Sequence, residues 1–351
     1  MINMFCVMDK ERCGCLMCKR FLINQSPVIL LIFILLGINS CHILNGKESS
    51  GEPVHINRFD KDLFQWIESD TPELLKKVVS DYPGMLRYTG LSIFGMNDTS
   101  HTVFFDRIIN YYSEPTLNKL YRDALKVYDQ IETVEVSLGS GLHFLKTCFP
   151  SMQIPAVYMH VSGLQNNTLV ADGLLSISID KYLGVDYPLY RDHFPEYRRR
   201  KMTPENMVPD YLKAWLISEY PFKGNVRVLL DRMIYEGKIK YIIHNALPQV
   251  LPEVLLGFTS GEYQWCKRYE KMIWNAIIER KQLFEPDAAT TERYFAERPS
   301  DFLSDDAPGD LGSWVGLQIV TKYMERTKES IETLMMNNDY QEILSKSRYK
   351  P

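Results

Sequence analysis

Glu236 is the acidic residue whose setting most suggests chemistry, because it lies in a stretch of helical periodicity and is followed directly by a glycine. Its carboxylate could ligate a metal or act as a general base. It could also pair with Lys240, one helical turn further on, which is the simpler interpretation. A glycine inside a helix costs about 1 kcal/mol relative to alanine. We therefore expect another element to approach the backbone closely at Gly237.

Other groups that commonly bind metals are scattered along the chain. Four histidines stand singly, without a second ligand at metal spacing: His143, His160, His193 and His244. We expect them in the core or at the surface. An acidic loop contains four aspartates: Asp301, Asp305, Asp306 and Asp310. It lacks the ligand order of an EF-hand, so a solvated loop that caps a helix near Ser313 is favoured over a calcium site, and no cofactor is predicted.

Aromatic residues recur between positions 263 and 323 and could line a groove for a peptide or a glycan, with Trp265 and Trp314 as its members. Aromatic side chains at helical spacing are more often core residues. The sequence contains no nucleophile elbow, Walker loop or dinucleotide fingerprint.

The charge balance argues against nucleic acid as a partner. After removal of the first 40 residues, 36 basic and 42 acidic side chains remain, a net charge of −6. Nucleic-acid binding depends on clustered basic charge. The one dense basic run, at 198–201, is flanked by Glu196 and Glu205 and is interpreted as a solvated loop or helix end.

The first 40 residues are typical of a secretion signal. Lys19 and Arg20 precede an apolar run at 28–36, which is about half of the roughly 20 residues that a spanning helix needs. Small and polar residues then lead to Cys41, in a segment that resembles a bacterial lipobox. We predict cleavage before Cys41 and lipidation of its thiol, although a permanent membrane-spanning anchor is the alternative.

A polar tether, 41–55, follows the cleavage site and leads to a single domain, 56–351. The tether has no dense acidic run behind Cys41, the usual signal for export to the outer face, so the domain is expected to face the periplasm. The domain keeps Cys148 and Cys266, which could form a disulfide or remain free.

Hydrophobic periodicity predicts an α+β domain that is mostly helical with a small central sheet. Helices are predicted from Phe59, from Pro72 after Thr71, near 102–112 and 115–128, and throughout the part after Thr203. Short β-branched segments at 156–161, 168–170 and 174–179 predict the strands.

Four segments together resemble the gliding-motility lipoprotein B (GldB) family. They read RFDKDLF at 58–64, DRMIYEGK at 231–238, WVGLQIV at 314–320 with the YM pair at 323–324, and SKSRYKP at 345–351. The resemblance spans nearly the whole mature chain. It implies an outer-membrane lipoprotein associated with surface motility and its secretion machinery.

The order of elements also looks like a group of zinc peptidases with a zincin-like fold. Their His-Glu-x-x-His helix supplies two zinc ligands, and a later Glu-Gly supplies the third. Glu236-Gly237 matches the later element, but no His-Glu-x-x-His occurs in the sequence. The segment that would correspond to it contains Pro209, Asp210 and Lys213, which with Glu236 are the candidates for a degenerate site. If Pro209 and Lys213 occupy the two histidine positions, the site cannot hold zinc, because neither a proline side chain nor a protonated lysine offers a lone pair.

These observations favour a non-catalytic, periplasm-facing lipoprotein that acts as a binding or assembly component at the outer membrane. Its expected partners are the membrane, through the lipid anchor, and proteins of an envelope assembly. Two alternatives stay open: a divergent metallopeptidase-like hydrolase that uses Glu236, and a lipoprotein that binds a glycan or peptide.

Overall fold

The computed structural model describes residues 51–99 and 102–351. The predicted signal sequence, Cys41 and most of the tether lie outside the described residues. Within them, no helix is both long enough and apolar enough to cross a membrane.

A small mixed sheet of four strands underlies the first half of the domain. The strands are β1 (Ile56–Asn57), β2 (Ala156–His160), β3 (Thr168–Ala171) and β4 (Leu174–Ser178). They are ordered β1-β2-β4-β3, with β3 antiparallel to β4 and the other pairs parallel. The three predicted strands are confirmed. The two-residue β1 is too short to carry a detectable period.

Helices make up most of the remaining structure, which confirms the α+β prediction. They are α1 (Phe59–Ser69), α2 (Pro72–Asp81), α3 (Pro83–Thr89), α4 (Thr102–Tyr112), α5 (Pro115–Val127), α6 (Glu132–Cys148), α7 (Pro188–His193), α8 (Glu196–Arg199), α9 (Pro204–Glu219), α10 (Leu229–Ala246), α11 (Pro252–Leu256), α12 (Ser260–Arg268), α13 (Glu270–Glu279), α14 (Ala288–Phe295), α15 (Leu311–Thr327), α16 (Ile331–Met336) and α17 (Tyr340–Ser347). A π-helical turn (Gly90–Phe94) follows α3, and a 3-10 turn (Ile179–Lys181) follows β4.

The apolar stripe predicted at the start of the domain forms part of the core. On α1, Phe59, Leu63, Phe64 and Ile67 are all buried, as their helical spacing requires. Pro72 occupies the first position of α2, as predicted, because proline there sacrifices no helical hydrogen bond.

Helices α10 and α15 cross at two glycines. A Cβ atom added to Gly237 would lie 2.3 Å from the carbonyl group of Gly316, and one added to Gly316 would lie 1.7 Å from the carbonyl oxygen of Met233. The close approach predicted at Gly237 is therefore confirmed, and α15 is the element that approaches. This crossing fixes α10, which carries one wall of the site described next.

Candidate functional site

A polar cavity of about 370 Å³ lies between the 3-10 turn, α8, α9 and α10. Its lining residues are Asn167, Lys181, Tyr182, Phe194, Arg198, Lys201, Met202, Asn206, Asp210, Lys213, Lys240, Leu255 and Glu297. The volume falls near the lower end of the roughly 300–1,000 Å³ of small-molecule sites. Unlike most such sites, its lining is dominated by charged and amide side chains.

Helices α9 and α10 bring the predicted degenerate-site residues together. The Lys213 ammonium lies 3.7 Å from a carboxylate oxygen of Glu236. One turn before Lys213, the Asp210 carboxylate accepts a 2.7 Å hydrogen bond from the Tyr182 hydroxyl. Asp210 and Lys213 face the cavity, whereas Pro209 is buried inside α9 and does not line it.

The predicted pairing of Glu236 with Lys240 is wrong. Lys240 is buried and donates its hydrogen bond to the backbone carbonyl of Leu255, while the nearby cation for Glu236 is Lys213. Burial lowers the pKa of Lys240 to about 8, with a further lowering by Lys213. The i,i+4 spacing does not lead to a pair here, because Lys240 donates to the Leu255 carbonyl and Glu236 pairs with Lys213, and both of these partners lie outside α10.

The donor set does not fit zinc. Burial alone would lower the pKa of Lys213, but the charges of Glu236 and Asp210 outweigh it and raise that pKa above its usual value. A lysine that holds its proton so firmly offers no lone pair to a metal. Across the described residues, no group of three or more His, Cys, Asp or Glu side chains is placed to hold a metal ion.

The basic run at 198–201 lies at the end of α8, as the helix-end interpretation predicted, and it also forms a second wall of the cavity, where it is only partly solvated. Arg198 and Lys201 both reach Glu297, at 3.1 and 3.2 Å, and Lys201 lies 3.9 Å from Asp310. Arg200 pairs with Glu262 at 3.1 Å. Sequence reasoning missed these pocket residues because their acidic partners are 60 to 110 positions away. The one available signal was a dense basic run in an acidic protein.

Lys181 completes the cationic lining from a third side. Its ammonium lies 5.2 Å from the centroid of the Phe194 ring, and burial lowers its pKa. The neighbouring Asp180 is fully buried and accepts hydrogen bonds from the backbone amides of Ser162 and Leu164. Asp180 thereby fixes the start of the loop that carries Asn167 into the cavity.

Other predicted site residues have structural roles. Trp314 is completely buried in the core and Trp265 stacks on Tyr269, so the two tryptophans do not form an exposed groove. Asp310 occupies the N-cap position of α15 and accepts a 2.6 Å hydrogen bond from the Ser313 hydroxyl, but its side chain accepts none from the backbone of the helix, so the acidic loop leads into α15 without a side-chain cap. Cys148 and Cys266 are free thiols.

The single histidines divide between core and surface, as predicted. His160 is buried, and its Nδ1 lies 2.8 Å from the Ser176 hydroxyl. His143 and His193 are exposed and His244 is half-buried.

Fold and site thus define an α+β protein with a cation-rich pocket. The model of the family described as Gliding motility protein GldB matches residues 45–351. The chain therefore belongs to the GldB family of gliding-motility-associated lipoproteins, as its four sequence segments predicted. Searches of curated proteins and of solved structures each found no match, so the zincin-like resemblance stays a prediction.

Proposed function

We propose that the protein is a non-catalytic binding or assembly component at the outer membrane, held there by a lipidated Cys41 with its domain facing the periplasm. Membership of a lipoprotein family supports the anchor. The tether sequence, which lacks an acidic run behind Cys41, supports the orientation.

The ion pair between Lys213 and Glu236 carries the non-catalytic part of the proposal. A general base must have its carboxylate free to contact the attacking water, whereas here a carboxylate oxygen of Glu236 lies 3.7 Å from the Lys213 ammonium. Helix α9 also contributes a proline and a lysine where a zinc peptidase would present imidazoles. The chemistry of these donors favours binding over hydrolysis.

Measurements of metal content and of peptide cleavage test the non-catalytic part of the proposal. The full chain, purified in detergent, should contain substoichiometric zinc and should not cleave a mixed peptide library. The Glu236→Gln variant is the control, because a hydrolase that uses Glu236 would lose its activity on that substitution. Cleavage that is sensitive to a chelator and abolished in E236Q would establish the alternative hydrolase and overturn the proposal.

The anchor is tested separately in a lipidating host. Mass spectrometry of the mature protein should show an acylated N-terminal Cys41, and Cys41→Ser should abolish both processing and the acyl mass. Protease added to intact cells should leave the wild-type domain uncut until the outer membrane is permeabilised. Digestion in intact cells would place the domain on the outer face instead.

A further inference from the structure

We propose that the cavity between α8, α9 and α10 binds a phosphate group, either free or attached to a larger polar molecule. This inference deepens the proposed function, since it supplies the ligand chemistry of a binding protein. It depends on the arrangement of cations, which line the cavity from four different elements: the 3-10 turn, α8, α9 and α10.

The cavity lining has an excess of positive charge. Five cations line it, Lys181, Arg198, Lys201, Lys213 and Lys240, against two carboxylates, Asp210 and Glu297. Two more carboxylates, Glu236 and Asp310, border the lining through their contacts with Lys213 and Lys201. The cations still outnumber the carboxylates when these are included, although the chain as a whole is acidic.

The cations differ in how far they are already neutralised. Arg198 and Lys201 share the carboxylate of Glu297, and Lys201 also lies 3.9 Å from Asp310. Within the described part of the chain, neither Lys181 nor Lys240 has a carboxylate within 4.0 Å. The charge of Asp180 acts on Lys181, and those of Asp310 and Glu236 act on Lys240, from a greater distance. An ammonium carries three donors, and the Leu255 carbonyl accepts only one from Lys240.

Burying such a group is unfavourable unless an anion offsets it. Lys240 is only 7% exposed, yet it belongs to the cavity lining. An anion in the cavity would restore the hydrogen bonds and the charge balance that burial removes. The ligand should therefore be an anion rather than a neutral peptide or glycan.

The distribution of the cations over several walls of the cavity favours a phosphate ligand over a carboxylate ligand. Lys181 follows the sheet, Arg198 and Lys201 lie on or just after α8, and Lys213 and Lys240 lie on α9 and α10. A tetrahedral phosphate directs oxygens towards several walls at once, whereas a planar carboxylate presents two. Lysine binds phosphate as a point charge and arginine as a planar donor. Asn167 and Asn206 could hydrogen-bond the remainder of a larger ligand.

Titration calorimetry on the full chain in detergent tests the inference with three probes. Inorganic pyrophosphate and glycerol 3-phosphate represent free phosphate and soluble monoesters, and glycerophosphoglycerol represents the phosphodiester of a lipid headgroup. The variants are Lys240→Met and the less buried Lys181→Met, which keeps the test informative if K240M fails to fold. The matched control is Lys238→Met, because Lys238 is also buried on α10 and also donates to a backbone carbonyl, but points away from the cavity towards Asn337.

We expect saturable binding of at least one probe. K240M or K181M should weaken its affinity about tenfold, the loss typical of one hydrogen bond to a charged group, and K238M should leave the affinity unchanged. The probe that binds most tightly identifies the source, a soluble phosphate or a headgroup. No saturable binding of any probe, or equal binding by all variants, would overturn the inference. That failure would leave the non-catalytic proposal intact, because metal content and peptide cleavage test it independently.

Discussion

Lys213 on α9 and Glu236 on α10 join two consecutive helices, with 3.7 Å between the ammonium nitrogen of one residue and a carboxylate oxygen of the other. Both side chains are partly solvated, at 36% and 22% exposure. The contact lies at the edge of the cation-rich cavity. The ion pair therefore contributes both to the packing of α9 against α10 and to the electrostatic environment of a ligand in the cavity.

Replacing Glu236 with glutamine should have opposite effects on stability and on anion binding. Lys213 would lose its main neutralising partner, so the free energy of unfolding should fall by about 1 kcal/mol, the upper range for a pair that solvent partly screens. Phosphate affinity should rise, because a negative charge beside the cavity is lost. Urea unfolding and pyrophosphate titration measure the two effects.

Glu325→Gln is the matched control for this change, since it removes the partner of Lys322 from an exposed i,i+3 pair on α15. It should leave both quantities unchanged. Weaker phosphate binding by E236Q would mean that Glu236 supports the site instead of opposing it.

Replacing Gly237 with alanine should disrupt the crossing of α10 and α15. The new Cβ would lie 2.3 Å from backbone atoms of Gly316, and backbone cannot move aside as a flexible side chain can. We expect a loss of about 3 kcal/mol in urea unfolding. In Gly261→Ala, where the nearest atom would be 3.8 Å away, stability should be unchanged or slightly higher. Equal effects of the two substitutions would refute the tight crossing.

His160 should make the protein sensitive to acid. Burial lowers the pKa of His160 from 6.5 to about 3, even though a hydrogen bond with the backbone of Ile177 acts in the opposite direction. The unfolded chain then binds this proton more readily, so the stability contributed by neutral His160 is complete above pH 6.5 and is lost as pH falls towards 3. His160→Gln should flatten the profile over that window, measured by urea unfolding at successive pH values.

The exposed His143→Gln variant controls for the mere loss of an imidazole. A wild-type profile that H160Q does not alter would show that other groups govern acid sensitivity.

Two buried lysines on α10 should make stability increase at mildly alkaline pH. Burial lowers the pKa of Lys238 and of Lys240 from 10.5 to about 8. Around Lys240, Lys213 and Lys201 add to this lowering, whereas Asp310 and Glu236 oppose it. The folded state thus releases protons before the unfolded state does, and the free energy of unfolding should rise from pH 8 towards pH 10.

Lys238→Met should reduce this rise, and the exposed Lys322→Met should not. Urea unfolding between pH 7.5 and about 9 measures it, because only about a tenth of the tyrosines of the unfolded chain, with a pKa of about 10, are ionised at the upper end of that range. No rise, or a rise that K238M leaves intact, would contradict the burial of these ammonium groups. Over the same range, phosphate binding should weaken as Lys240 loses its charge.

The sequence by itself determined the elements and the family. Apolar spacing placed α1 and α2, β-branched runs placed β2 to β4, and Gly237 revealed a close helix crossing, because each of these signals depends on local geometry. The four segments at 58–64, 231–238, 314–324 and 345–351 together indicated the GldB family, which the match over residues 45–351 confirmed.

The tertiary structure alone decided which charges meet. Lys240 donates a hydrogen bond to the Leu255 carbonyl, and Glu236 on α10 pairs with Lys213 on α9. Arg198 and Lys201 form ion pairs with Glu297, which lies nearly 100 positions further along the chain. Long charged side chains have many rotamers and no periodic signature, so their partners follow from how the helices pack. The cavity is a product of that packing, and the dense basic run at 198–201 was the one local pattern that pointed to it.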